Sequence, residues 1–440
     1  MSPIPLYPGV YVTETPSAVR TIVGVPTSIC AFIGRAPRGP IAVRGDAPGL
    51  VLSFADYQRV FGGLDDKTSM GHAVRDFFAN GGSQALIVRL YRPPVPEPAG
   101  DHAGGMAEGE GDDDGAAMDS AGETPAGANA GSDHDSSDQG APLHDVDYID
   151  AGFDALRSAD LFNLLCIPPD LVGGDTSPVV YRSALVLCVE RRAMLLVDPP
   201  AAWVSVEAVT DEGEHGLQGL GLSGEAGRNA ALYFPRLRQR DPRDPTRIST
   251  RVPCGAAAGV IARIDAHRGI WKAPAGLEAS LVGVDDLAVR LEDAANGELN
   301  PLGVNCLRRF PVAGNVIWGA RTLRGADRHA DEYKYVPVRR LALHLQHSIE
   351  RGVAWAAFEP NDEPLWAQLR LNIGAFMQHL FRQGAFQGVS PRDAYFVRCD
   401  AETTTQRDID RGVCNIVVGF APLKPAEFMV LQIAQAAGGT

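Results

Sequence analysis

Along this chain short apolar runs alternate with stretches whose apolar positions recur every three or four residues. The runs TSICAFIGRAP (27–37), ALIVRLY (85–91), LFNLLCIPPD (161–170) and AMLLVDPP (193–200) are strand-length, and three of them are stopped by Gly or Pro. Between them, SFADYQRVFG and MGHAVRDFFANGG read as helices, the second ended by Gly81 and Gly82, and VVYRSALVLCVERR as a third. Strand and helix in alternation predict a mainly parallel α/β layer structure.

Further along, CGAAAGVIARIDAHRGIW predicts a helix of small residues able to pack closely, and VDDLAVRLEDAANGELNPLG a helix ending near Gly297. The clearest helical pattern is NDEPLWAQLRLNIGAFMQHLFRQGAF. Asn361 or Asp362 can cap it, Pro364 suits its first turn, and Leu365, Leu369, Ile373, Phe376 and Leu380 form one apolar stripe before Gly384. The last hundred residues close with three strand-like segments, DAYFVRCD, VCNIVVGFAPL and PAEFMVLQIAQ. At the other end PGVYVTET, between Pro8 and Pro16, also reads as a strand, yet no turn follows that would bring a partner back onto it. Each terminus therefore carries a strand with nothing of its own to pair with.

The chain has 440 residues, enough for two or three domains, and 45% of them are hydrophobic. No apolar run approaches the roughly 20 residues that span a bilayer, and the first twenty residues lack the pattern of a secretory signal, so a soluble protein made in the cytoplasm is expected. The formal charge of −14 is local: Glu97 to Asp147 holds 14 acidic residues and no Lys or Arg, which accounts for the whole excess. With so few large apolar side chains, this Gly/Ala/Asp/Ser-rich insertion is expected to be disordered. No basic stripe compensates for it, which argues against nucleic acid as a partner. Asp112, Asp113 and Asp114 raise calcium binding, and with it a calcium-dependent surface adhesin, but the spacing of a calcium loop is missing.

Candidate chemistry is sparse. GLGLSG at 219–224 matches a dinucleotide-binding fingerprint in letters, but it follows polar, Gly-rich sequence rather than a strand, so a flexible loop is the default and a nucleotide-binding α/β enzyme the rival reading. His344, His347 and Glu350 share a helix without the glutamate between histidines that metalloproteases use, so a solvated or interfacial helix face is expected. Seven scattered cysteines form no metal or disulfide pattern. No catalytic, cofactor-binding or metal-binding residues are expected, and no cofactor.

YPGVYVTE, FIGRAPRGP, VPCGAAAGVIARIDAHRGIWKAPAG, LNPLGVNCLRRFPVAGNVIWGARTL, YVPVRRLALHLQHSIERGVAWAAFEPNDEPLW and VGFAPLKPAEFMVLQIAQ together resemble, in this order, the tail sheath proteins of contractile phages and phage-tail-like injection systems. GIWKAPAG, WGARTL and PAEF carry the likeness most specifically. It implies a structural subunit, not an enzyme, that polymerises with six-fold symmetry around an inner tube and contracts to drive that tube through a target envelope. It implies further partners in baseplate and terminator proteins and sheath paralogues, no insertion into a membrane, and assembly in the cytoplasm before the chain becomes part of a virion or a released particle. The implied fold is a discontinuous α/β multi-domain one. The chain divides into an N-terminal arm (1–24), the first part of an α/β body (25–92), the acidic insertion (93–156), which departs from the family pattern, a middle α/β domain (157–325), a mixed α+β C-terminal assembly domain (326–420) and a C-terminal arm (421–440).

By the same resemblance the terminal strands pair with sheets of neighbouring copies, which supplies the missing partners. A backbone hydrogen bond contributes about 0.5–1.5 kcal/mol net, while ordering a residue costs about 1–2 kcal/mol. Side-chain burial must tip the balance, so Val10, Tyr11, Val12 and Thr13 at one end and Phe428, Val430, Leu431 and Ile433 at the other are the expected arm contacts. Linkers marked by Pro16 and Gly24, and by Pro422 and Pro425, are the expected hinges. The helix from 361 to 383 is the expected tube-facing element, with Arg370 and Arg382 as its charged contacts.

Overall fold

The computed structural model describes residues 21–43, 45–94 and 140–427. In chain order the first elements are β1 (Cys30–Arg35), β2 (Gly49–Val51), α1 (Phe54–Phe61), α2 (Met70–Ala79) and β3 (Ala85–Leu90). Next come α3 (Phe153–Ser158), β4 (Leu164–Cys166), α4 (Pro178–Glu190), β5 (Met194–Val197) and α5 (Val206–Thr210). They lead to β6 (Ala230–Phe234), β7 (Leu237–Arg240), β8 (Ile248–Arg251), α6 (Cys254–Arg268), β9 (Asp286–Leu287), α7 (Asp293–Leu299), β10 (Val304–Phe310) and β11 (Gly314–Ile317). The C-terminal part contains α8 (Val336–Val353), α9 (Glu363–Arg382), α10 (Pro391–Ala394), β12 (Tyr395–Arg398), α11 (Gln406–Asp410) and β13 (Val417–Phe420).

The expected α/β architecture is present as an eight-stranded sheet in the order β11-β10-β6-β5-β4-β1-β3-β2. Its six inner strands run parallel, and β2 and β11 are antiparallel at the edges. Parallel strands covered on both faces read as unbroken apolar runs, and every residue of β1, β4, β5 and β6 is buried. Alternate side chains still take opposite faces. Phe32, Cys166, Leu196 and Tyr233 pack with α2 and α6, while Ile33, Leu165, Leu195 and Leu232 pack with α3 and α4. Strands from before and after the acidic insertion interleave in this one sheet, β1 lying between β3 and β4. A small sheet, β8-β7-β9, stands beside it.

The small residues of α6 do what their size allows. A Cβ at Gly255 would lie 2.1 Å from the Ala73 carbonyl oxygen and one at Gly259 2.4 Å from that of Phe77, so α6 touches the backbone of α2 directly. At the α6 N-terminus the buried Asp198 carboxylate accepts the Cys254 N–H at 2.8 Å, and burial pushes its pKa up to about 7.

Two expectations need correction. The segment 284–303 is not one helix: Asp286–Leu287 is strand β9 paired with β7, and α7 begins only at Asp293, with Gly297 inside it and the turn to the next strand made at Gly303, φ +87°. Leu287 is drawn into the sheet as a buried strand residue, and Arg309 holds Asp286, so tertiary contacts override helical spacing. The stretch 140–156, expected within a disordered insertion, belongs to the body: Ala141 N–H donates to the Arg92 carbonyl at 2.9 Å, and Tyr148 and Phe153 are buried. These aromatics supply the burial that the preceding Gly- and Asp-rich sequence lacks.

In the C-terminal part α8 and α9 cross over a separate cluster of Ile22, Leu341, Leu345, Ile373, Phe376 and Leu380. The expected stripe of α9 faces inward, Asp362 caps it by accepting the Leu365 N–H at 3.3 Å, and Gly384, φ +82°, follows its end. No helix among the described residues is long and apolar enough to cross a membrane.

Candidate assembly interface

The strands β12 and β13 form a sheet of only two, paired Tyr395 to Phe420 and Arg398 to Val417. A lone two-stranded pair is marginal in water; this one is backed by α9, because Tyr395, Val397, Val418 and Phe420 point into the helix cluster. The opposite face carries Phe396, Arg398, Val417 and Gly419. Phe396 lies across Gly419, where a Cβ would come within 2.2 Å of its ring, and the Arg398 guanidinium sits 5.3 Å from the same ring. Among the described residues neither outer edge of the pair has a partner strand. An unpaired edge is a template for a strand from elsewhere.

The first and last described segments, at residues 22–27 and at Glu427, are both tied to the body. At the C-terminal root, Arg321, whose side chain is wholly buried, donates from Nε and Nη2 to the two carboxylate oxygens of Glu427 at 2.7 and 2.6 Å. Its Nη1 donates to the Asn300 carbonyl at 2.8 Å and to Asp327 at 3.0 Å, and the Tyr335 hydroxyl donates to Glu427 at 3.2 Å. Burial works against the guanidinium charge, but the bonds and charges of Glu427 and Asp327 outweigh it and hold the Arg321 pKa above its ordinary value. Beside this pair lies a cleft of about 860 Å³, where Trp271 and Lys272, Trp318 and Gly319, and Lys424 and Pro425 meet. Those three pairs come from GIWKAPAG, WGARTL and the junction of Lys424 with PAEF.

At the N-terminal root, Ile22 is buried against Gly352 of α8, with a Cβ on that glycine placed 2.7 Å from Ile22 Cγ1. Val25 N–H donates to Ser348 Oγ at 3.1 Å, and Arg340, held by both oxygens of Asp265 at 2.8 and 2.6 Å, donates to the Thr27 carbonyl at 2.7 Å. Gly24 sits on the His344 ring. Burial, with Arg340 and His347 adding to it and Asp265 opposing, lowers the His344 pKa to about 4.

The arm residues Val10, Tyr11, Val12, Thr13, Phe428, Val430, Leu431 and Ile433, and Pro16, lie outside the described residues. Three of the expected hinge residues lie in held segments instead: Gly24 in the N-terminal root, Pro422 bridged to Phe386, and Pro425 between that bridge and Glu427. Arg370 is engaged within its own unit, donating to Glu363 at 2.5 Å and to the Cys399 carbonyl, whereas Arg382 is exposed at the end of α9. His344 and His347 do not converge on a metal site with Glu350, which pairs with Arg192 at 2.5 Å; no group of metal-ligating side chains occurs among the described residues. GLGLSG runs from a 3-10 turn into a loop, with no strand before it. Sequence reasoning missed the Arg321–Glu427 pair. Its only trace was that an arginine and a glutamate sit in two of the three most distinctive motifs.

Comparison with known proteins points the same way. Residues 191–323 match the phage tail sheath protein central domain and residues 329–436 the phage tail sheath C-terminal domain, together more than half of the chain. A tail sheath protein of Vibrio phage KVP40 is 28% identical over 179 residues, 40% of this chain and 25% of that relative, so the chain matches about a quarter of its length. The sheath of an extracellular contractile injection system, PVC, in its contracted state is 25% identical with a TM-score of 0.66 over 99% of both chains. The contracted helical sheath of the anti-feeding prophage is also 25% identical, TM-score 0.66, over 98% of this chain and 100% of that one.

Proposed function

The chain belongs to the contractile tail sheath family, and from that footing we propose that it polymerises as a six-fold helical sheath around an inner tube, its copies joined by strands exchanged between them. It is a structural sheath subunit and not an enzyme. The observation that supports strand exchange is the two-stranded β12–β13 sheet, whose edges are both unpaired among the described residues, in a chain whose sequence predicts an extra strand at each end. In this reading residues 7–15 of one copy and 428–435 of another add to those edges, and Val10, Tyr11, Val12, Phe428, Val430, Leu431 and Ile433 supply the burial.

Contraction then needs no nucleotide. Rigid bodies slide between two packings while the arms keep the mesh connected. Since Ile22 and Glu427 are anchored, the chain that changes direction between states lies before Thr21 and after Glu427, rather than at Gly24, Pro422 or Pro425. The solved neighbours include chains of an anti-feeding prophage baseplate and a helical sheath. By analogy the partners here are further copies, an inner tube protein, and baseplate and terminator proteins, in a particle assembled in the cytoplasm and then carried by a virion or released.

Purified full-length chain should form tubes or large rings in negative-stain microscopy. Chains lacking residues 1–20 or 428–440 should stay as folded single subunits. Normal tubes from either truncated chain would end the strand-exchange reading.

A further inference from the structure

We propose that Phe358 is an apolar anchor by which one copy of the chain grips a second copy beside the acceptor sheet; this rests on the strand-exchange reading above. Phe358 is 106% exposed, so its ring stands clear of the described residues, and its φ is +71°. A bulky side chain in the left-handed region is a strained arrangement that persists only when its surroundings enforce it, and such strain gathers at functional positions.

The surroundings do enforce it. On one side the turn Ala354–Ala356 is closed by Ala357 N–H to the Ala354 carbonyl at 3.3 Å and Glu359 N–H to the Ala356 carbonyl at 3.2 Å. On the other, Asn361 Nδ2 donates to the Val413 carbonyl at 2.9 Å, Trp366 Nε1 donates to Asn361 Oδ1 at 2.8 Å, and Asp362 caps α9. The loop is thus braced at both ends while the ring between them stands in solvent, beside exposed Ala357 and Pro360. An aromatic group on a rigid stalk gives up little conformational entropy when it docks.

Its location selects the occupant. Asn361 is tied to Val413, four residues before β13 begins at the half-exposed Val417. The loop that carries Phe358 is therefore tied to the chain entering the sheet whose edges are read as receiving strands from other copies. A contact in which a patch on one copy meets a different patch on the next is the kind that propagates a helical polymer.

The experiment compares full-length wild type, Phe358→Gly, Phe358→Leu and a chain lacking 428–440. Thermal unfolding is measured below the assembly threshold, and assembly by sedimentation and negative stain. Glycine removes the ring and accepts positive φ, so Phe358→Gly should leave the melting temperature of the free subunit unchanged or raised, while the concentration needed for assembly rises about tenfold or more. Phe358→Leu should fall between the two. A drop of several degrees for Phe358→Gly would assign the ring a structural role and overturn the proposal. So would assembly of Phe358→Gly at the wild-type threshold while the truncated chain fails to assemble, which leaves strand exchange standing. If the truncated chain assembles normally, strand exchange itself is the reading that falls. A photo-crosslinking phenylalanine at 358 should join sheath subunit to sheath subunit; adducts only with inner tube protein would also overturn it.

Discussion

Arg321 and Glu427, 106 residues apart in sequence, meet in a two-pronged ion pair at 2.7 and 2.6 Å, with the arginine side chain wholly buried. The pair ties the segment that follows β13 to the loop that follows β11, at the last described residue. Under the strand-exchange proposal, the pair fixes the point from which the C-terminal strand reaches a neighbouring copy.

Removing the carboxylate should therefore be costly. Glu427→Ala leaves a buried guanidinium with Asp327 as its remaining acidic partner, and should cost about 2–4 kcal/mol, near the range for breaking a buried pair. Glu427→Gln keeps one acceptor and should cost about half as much. Urea unfolding followed through tryptophan fluorescence, with Trp318 lining the same cleft, measures both. Equal stability for wild type and Glu427→Ala would show that the pair holds nothing.

Glycines in two helices should respond in opposite directions. Gly259→Ala drives a methyl group onto the Phe77 carbonyl and should destabilise by about 1–3 kcal/mol or more, because α6 cannot move off α2 without opening the core. Gly297→Ala, in α7 with open space around it, should stabilise by about 0.5–1 kcal/mol through the unfolded chain and helix propensity. Thermal melts of the two variants check the contrast, and a loss at Gly297 as large as that at Gly259 would refute the packing argument.

This contrast also marks what the residues disclose before folding is known. Small residues at helical spacing made α6 readable as a close-packing helix, and Asp362, Pro364 and the Leu365–Leu380 stripe made α9 readable from cap to stop, because those signals are local. The strand at Asp286–Leu287 was hidden, since its partner Leu237 is 50 positions away and the local spacing favours a helix. The Arg321–Glu427 pair was hidden for the same reason. Phe358 was hidden differently: no local rule places a phenylalanine at positive φ, and only the bracing from Val413 and Trp366 does so. The anchoring of Gly24 was equally invisible, because it depends on His344, far along the chain.

That histidine should make stability depend on pH. In the folded chain His344 is lowered to about 4, by burial first, below its ordinary 6.5. The native state binds this proton less readily than the unfolded chain, so the contribution is complete above about pH 6.5 and is lost as pH falls toward 4. At most it amounts to about 3 kcal/mol. His72, lowered to about 4 by burial, Arg251 and Arg75, carries the same sign, so the informative quantity is the difference between wild type and His344→Gln. Urea midpoints at pH 7.5 and 5 should converge for the variant relative to wild type; parallel losses in both chains would place the dependence elsewhere.

The two arginines of α9 should part company under charge reversal. Arg370 is bonded to Glu363 and to the carbonyl of Cys399, which closes the loop after β12, so Arg370→Glu sets two carboxylates against each other and releases that loop. It should cost about 1–3 kcal/mol, and any loss of tube binding would follow from the loosened fold. Arg382 is exposed in the last turn, where reversal costs only the favourable helix-end charge, about 0.3–1 kcal/mol. If α9 faces the tube, Arg382→Glu should keep the melting temperature within a few degrees yet weaken co-sedimentation with inner tube protein, most at low salt. Unchanged co-sedimentation at both salt levels would move the tube-facing surface away from the end of α9, because a charge so placed must be felt by any partner packed against that helix.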